Sequence, residues 1–395
     1  MLRLLFVTPS LSYGGAERHA VTLMYRLAER GHECHALSVK QQEPSQSDEV
    51  RARLAGRVFC LNAARYFDWR VLRACANHIA RIRPHAVIAA NPYALMYASL
   101  ALRLTRARVP LVVTYHSTRI LGAKEQLKML LYRWFFWSAD CAVFVSQRQL
   151  RYSRRRGVFS RHNEVIHNGV DADRFCNKFD PAQRAAVRRA LGFSDADYLI
   201  GISAWLRPEK NHVQLIDAVA ALRKIGTRAC AVIIGDGETR AAIEARARAL
   251  NVERNVAITG FQPQVAPYIA ACDVMALCST TEAFSLAAIE AMALGRPVIH
   301  SDVGGAAEMI FPGRNGFLFP AGDTKAFVDR LATLADPSVA EAMGRRARAI
   351  VQTLFSEATM VDRYEQALLR VACGRSGAGA PVSYPARDAE VTRDA

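Results

Sequence analysis

The sequence predicts an α/β protein made of two Rossmann-like parallel-sheet domains facing across a cleft. Short apolar runs alternate with amphipathic stretches nearly from end to end. That pattern breaks near "VIHNGVDADRF" (165–175) and then restarts. A chain of 395 residues is also too long for one ordinary core and suits two domains of typical size. The expected limits are 1–168 for an N-terminal domain and 169–354 for a C-terminal one. A last helix over 355–372 is expected to pack back toward the N-terminal domain, followed by a loose tail over 373–395.

Each element has a local reason. "MLRLLFVTP" is a short apolar run with no small-residue cleavage pattern after it, so it reads as a first strand and not as a signal peptide. The helical "AERHAVTLMYRLAERG" follows, then the strands "HECHALSV", "HAVIAA", "PLVVTYH" and "CAVFVS". Near-continuous apolar strands separated by helices indicate a parallel sheet covered on both faces. The second half repeats this with "YLIGISAW" (198–205), "ACAVIIGDG" (229–237), "VAITGF" (256–261), "DVMALCST" (273–280) and "RPVIHSD" (296–302). "FSEATMVDRYEQALLRVA" (355–372) is the last helix, and the Gly, Pro, Ala and charges of the tail support no core.

Composition narrows the classes. Half the chain is hydrophobic (51%) and 22% charged, a globular balance. Nine scattered cysteines with no CxxC pair suggest neither disulfides nor zinc, and suit a reducing compartment. No window approaches the roughly 18 apolar residues that cross a bilayer, so the expected location is cytoplasmic. The net charge of +16 is uneven: residues 119–162 hold ten Lys/Arg against Glu125 and Asp140, half of the excess. Such a run is either a solvated basic face or a contact for an anionic partner: a membrane surface, a phosphorylated substrate or nucleic acid.

Three stretches carry candidate chemistry. In "TPSLSYGGAERHAVTL" a strand ends at Thr8, and Gly14-Gly15 open a helix. Its N-terminus is either a phosphate site or a tight strand-to-helix turn. In "SAWLRPEKNHVQLIDAV", Arg207 and Lys210 follow a strand and precede a helix starting near Asn211. They stand where a diphosphate would bind, or else are surface cations partnered by Glu209. In "TTEAFSLAAIEAMALGRPVI" (280–299) an apolar helix from Ser285 to before Gly295 carries one acid, Glu290. A buried carboxylate without partners is costly, so Glu290 needs an arginine or the hydroxyls of a ligand. Glu282 is eight residues earlier, about 12 Å if helical, so it belongs in the loop before the helix. Between the acids lie the backbone N–H groups of Phe284, Ser285 and Leu286, suited to an anion. Acid, anion hole and acid match a sugar, its diphosphate and a ribose.

"E282-AFSLAAI-E290" with "AMALGRPVI" resembles the E-x7-E signature of retaining glycosyltransferases of the GT-B fold, glycosyltransferase family 4. "GGAER", "TYHS" (114–117), "SADCAVFVSQ" (138–147), "VIHNGVDADRF", "RPEKN", "IGDGE" and "GGAAEMIFPGRNGFLFPAGD" (304–323) fall in the family's order, so the similarity spans most of the chain. The resemblance implies a UDP- or GDP-sugar donor and no cofactor or metal. Glu290 would bind the ribose hydroxyls, and Glu282 the hydroxyls of the transferred sugar. Gly14 and Gly15 would meet the diphosphate, Arg207 and Lys210 would neutralise it, and His116 would contact the donor sugar near the acceptor. One position departs from the family pattern: Trp205 stands where an arginine is usual, five before Lys210, and Arg207 is expected to take over its contact.

The acceptor side is read from "LGAKEQLKMLLYRWFFWSAD" (121–140) and "RQLRYSRRRGVFSR", which mix cations, leucines and aromatics. Peripheral contact with an anionic membrane, at the inner face of the cytoplasmic membrane, is expected. A lipid-linked or lipopolysaccharide-type glycan is the expected acceptor, in lipopolysaccharide, O-antigen or exopolysaccharide assembly, and no nucleic acid is expected. Trp134, Phe135, Phe136 and Trp137 read equally as membrane contacts or as core. Two other classes stay open: a nucleotide-sugar epimerase on the same fold, and a non-catalytic nucleotide-sugar or nucleic-acid binder.

Overall fold

The computed structural model describes residues 1–12, 14–40, 47–54, 56–116, 123–176 and 179–374. Among them the strands form two all-parallel sheets. The first contains β1 (Arg3–Thr8), β2 (Glu33–Ser38), β3 (Val58–Cys60), β4 (Ala86–Ala90), β5 (Leu111–Tyr115), β6 (Cys141–Phe144) and β7 (His162–Val165), ordered β3-β2-β1-β4-β5-β6-β7. The second contains β8 (Tyr198–Ser203), β9 (Ala229–Ile234), β10 (Val256–Ile258), β11 (Val274–Leu277), β12 (Val298–Ser301) and β13 (Gly316–Phe319), ordered β10-β9-β8-β11-β12-β13. The predicted α/β architecture of two Rossmann-like sheets is therefore the observed one.

Central strands are buried on both faces, as their apolar runs require: Leu4, Leu5, Phe6 and Val7 are all sealed from solvent, and so are Val274–Leu277. Strand order reverses where β1 meets β4 and where β8 meets β11. At such a switch point the loops leaving the strand ends diverge and open a crevice. The loop after β1 carries Gly14-Gly15, the loop after β8 carries Arg207 and Lys210, and the loop after β11 carries Glu282. All the motif loops thus leave the carboxyl ends of their sheets.

Helix Glu357–Ala372 joins the hydrophobic core of the first sheet, where Met360, Val361, Tyr364, Ala367 and Leu368 pack with Leu4, Phe6 and Leu23. Ion pairs fasten its flanks: Arg30 to Asp362 at 2.6 Å and Arg370 to Glu164 at 2.7 Å. The chain therefore returns to its first domain after building its second. Of the predicted tail, 375–395 lies outside the described residues.

Because Leu368 is 1% exposed in that core, Leu368→Ala is expected to lower unfolding free energy by about 2–5 kcal/mol. Urea denaturation of the full chain measures this.

Candidate active site

The acidic loop and its helix follow from local sequence. Ser285 caps helix Leu286–Ala293, its hydroxyl accepting from the N–H of Ala288 at 3.3 Å, so Ser285 precedes the helix and is not its first turn. Gly295, at φ +71°, lies just past its end. First-turn N–H groups have no intrahelical acceptor, so those near Phe284, Ser285 and Leu286 remain available to an anion.

Glu290 is 3% exposed, and Arg18 of helix Gly15–Glu29 meets it from the opposite domain, Nη2 donating to Oε1 at 2.7 Å. Of the two partners that the sequence left open for Glu290, an arginine is present and compensates its burial. The partner lies 272 residues away in sequence, inside the quoted "GGAER" but unassigned there.

Glu282 stands in the loop, where Lys210 Nζ donates to its Oε2 at 2.5 Å and Ser279 Oγ reaches the same oxygen at 3.4 Å. Burial opposes its ionisation, but Lys210, His300 and Ser279 together outweigh this and hold the carboxyl below its usual range. Lys210 ends a 3-10 turn, Pro208–Lys210, and helix His212–Lys224 follows. Arg207 caps that turn, exposed, with no carboxylate within salt-bridge distance among the described residues. Its charge reaches Glu17 on the other domain; burial raises the Glu17 carboxyl, and Arg207 partly opposes that rise. Trp205, in the place of the usual arginine, stacks on Phe261 of the "GFQP" loop at 5.8 Å.

Across the cleft, Gly14 is the N-cap of helix Gly15–Glu29, and Gly15 opens it. A Cβ on Gly15 would lie 3.7 Å from Leu286 Cδ1, so the two helix N-termini approach each other closely. His116 follows β5, with its backbone N–H on Asn91 Oδ1 at 3.1 Å. Its ring lies 4.5 Å from that of His19, which in turn packs on Tyr364 at 5.3 Å. Both ring nitrogens of His19 and Nε2 of His116 are buried without a partner among the described residues. Burial pushes the His116 imidazole down to about 4, and burial plus the neighbouring His116 takes His19 well below its ordinary value. His116 joins the cluster through His19, one residue beyond Arg18, and not through a hydrogen bond to Glu282. His19 was not singled out from the sequence; its position four residues after Gly15, on one helix face, is the signal that would have found it.

The acidic loop is clamped at the domain junction. Asn168 Nδ2 donates to the carbonyl of Phe284 at 3.0 Å, and the Phe284 ring stacks on His167 at 4.7 Å. Gly305 N–H donates to Ala283 O at 2.8 Å, while Gly304 has φ +53° and leaves no room for a Cβ against the Glu282 carbonyl. Glu308, after these glycines, accepts from the N–H groups of Gln147 and Arg148 and pairs with His167 at 2.9 Å. Among the described residues no cluster of three or more His, Cys, Asp or Glu is placed to hold a metal.

Two parallel sheets facing across this cleft are the GT-B architecture. Residues 13–174 match the family model described as Glycosyltransferase Family 4, and residues 183–350 that described as Glycosyl transferases group 1. N-acetyl-alpha-D-glucosaminyl L-malate synthase of Bacillus anthracis is 30% identical over 366 residues, 90% of this chain and 93% of the relative. A GDP-mannose-dependent monoacylated alpha-(1-6)-phosphatidylinositol monomannoside mannosyltransferase of Corynebacterium glutamicum is 30% identical over 237 residues, covering 57% and 60%. The crystal structure of Anabaena HepE in complex with UDP and glucose superposes with a TM-score of 0.81 at 22% identity, over 93% of this chain and 100% of that one. The chain belongs to glycosyltransferase family 4.

Four histidines, three buried and His116 half-buried, set a pH dependence. His116 and His212 are pushed down to about 4, in both by burial, with Lys210 adding to the effect on His212; His19 and His300 are lowered in the same direction. The unfolded chain then binds more protons below the ordinary histidine value, so their contribution is complete above pH about 6.5 and is lost as pH falls toward 4. Thermal melts are expected to show Tm falling across that window, with a shallower fall in His116→Asn.

Proposed function

We propose that this glycosyltransferase moves a hexose from a UDP- or GDP-sugar to a hydroxyl acceptor, retaining the anomeric configuration and using no metal ion or other cofactor. The observation that carries the reading is the pairing of each acid with a cation on either side of one helix N-terminus: Lys210 with Glu282 and Arg18 with Glu290. In this reading Glu282 holds the transferred sugar, Glu290 the ribose, and the N–H groups near Phe284–Leu286 the diphosphate between them. Gly14 and Gly15 close on the diphosphate from the other domain. A relative named as GDP-mannose-dependent and a neighbour holding UDP keep both bases in view.

Departure of the nucleoside diphosphate concentrates negative charge on its terminal oxygens. Arg207, Lys210 and the helix dipole stabilise that charge in place of a divalent ion. The acceptor hydroxyl approaches from the face that the phosphate leaves. An imidazole lowered to about 4 is a poor base for an alcohol, which supports the departing phosphate as the proton acceptor and His116 as a neutral contact for the sugar.

The acceptor face is proposed to rest on the inner surface of the cytoplasmic membrane, delivering a lipid-linked or lipopolysaccharide-type glycan. Helix Ala123–Ser138 exposes Leu127, Leu130, Leu131, Trp134 and Trp137 along one stripe, with Leu131 and Trp134 each 67% exposed. Phe136 turns inward at 0% and Phe135 is partly buried, so the aromatic cluster divides between surface and core. Arg151, Arg154, Arg155 and Arg161 are exposed in the segment that follows, which Trp137 Nε1 joins by donating to the Gly157 carbonyl at 3.0 Å, and their charge suits an anionic interface. Arg119 lies outside the described residues, as does the side chain of Lys124. No helix among the described residues is long and apolar enough to cross a membrane.

With donor and a hydroxyl acceptor, NMR of the product is expected to show the donor's anomeric configuration, and turnover is expected to survive chelation. Arg207→Ala is expected to lower kcat by about 100-fold, in the range for loss of one oxyanion-stabilising group; wild-type turnover in that variant sinks its assignment. Flotation with phosphatidylglycerol vesicles is expected to carry the wild-type chain but not a Leu131→Ser/Trp134→Ser variant, whereas equal flotation of both overturns the membrane face.

A further inference from the structure

Glu290 takes its cation from the far side of the cleft. Among the described residues Arg18 is the only side chain that hydrogen-bonds its carboxylate, and it engages Oε1 alone. The Arg18 side chain is 39% exposed, and both residues line a cleft of about 700 Å³ with Thr22, Leu286 and Phe261. A carboxylate accepts through both oxygens and a ribose hydroxyl donates, so arginine and ribose can share this group. Removing the arginine leaves a buried acid without its cation, free to turn or to be neutralised.

We propose that Arg18 is a positioning residue for the donor's ribose: it fixes Glu290 through Oε1 and so presents Oε2 to the ribose hydroxyls. This rests on the reading that Glu290 grips the ribose. Because Arg18 belongs to the N-terminal domain and Glu290 to the C-terminal one, ribose recognition becomes complete only while the two domains are apposed. A residue that merely braced the domains would strengthen every nucleotide alike; a residue that aims Oε2 strengthens those bearing the hydroxyls it receives.

The test is calorimetric titration of the full chain with UDP and GDP, then with the 2′-deoxy and 3′-deoxy forms of whichever binds more tightly. Wild type, Arg18→Gln, Arg18→Lys and Glu290→Gln are compared. Wild type is expected to prefer the ribonucleotide on the order of tenfold over at least one deoxy form, the range for a hydrogen bond to a charged group. Arg18→Gln is expected to bring that ratio close to one, and Arg18→Lys, which retains the charge, to restore part of it. If Arg18→Gln weakens all forms equally and keeps the ratio while Glu290→Gln loses it, the role of Arg18 is overturned and the ribose reading stands. If wild type shows no preference, or Glu290→Gln keeps it, the ribose reading falls and this proposal with it.

Discussion

The clamp on residues 282–285 is the constraint on which the donor side depends. Its carbonyls are taken by Asn168 and Gly305, the Phe284 ring is stacked on His167, and Gly304 packs where no side chain fits. A loop held from two elements has little conformational freedom left to lose, so Glu282 and the helix N-terminus keep their mutual position. The same clamp includes the junction between the domains, because Asn168 and His167 stand just after β7. Glu308 extends it by bonding the N-terminus of helix Gln147–Arg154, where burial is outweighed by His167 and two backbone N–H groups that hold its carboxyl below the usual range.

Charge is arranged around this frame so that Glu282 and Glu290 each have a cation. Two unit charges about 4 Å apart attract by about 4 kcal/mol at the effective dielectric of a protein surface. That scale is enough to offset much of the penalty for burying Glu282 and Glu290, and it explains why the apolar helix tolerates one acid in its middle. The two pairs differ in kind. Lys210 and Glu282 lie in one domain and form a fixed unit, whereas Arg18 and Glu290 bridge two domains and separate if the domains part.

Central β1, β4, β5, β8, β9 and β11 were legible because strands buried on both faces read as continuous apolar runs. Three strands were not read: β3, β7 and β13, each at the edge of its sheet. β7 is "HNEV", with no residue fully buried, and carries no such signal, whereas β3 and β13 are runs of only three and four residues. In the candidate site the sequence displayed the two acids, the cations and the glycines, because each interrupts a local pattern. It left Arg18 and His19 unassigned, because "GGAERH" looks like any amphipathic helix start.

What the sequence alone determined was the periodicity: most of the strands, where the order restarts, and that Glu290 sits in a helix too apolar for a free acid. These are local properties, set by side chains within a few residues of one another. Tertiary structure decided the partners. Trp134 and Phe136 are two positions apart, about 200° around a helix, and only packing determines which of them meets the core. Likewise Glu290 met an arginine 272 residues away, since ion pairs across a cleft depend on how two domains close and leave no periodic trace in the chain.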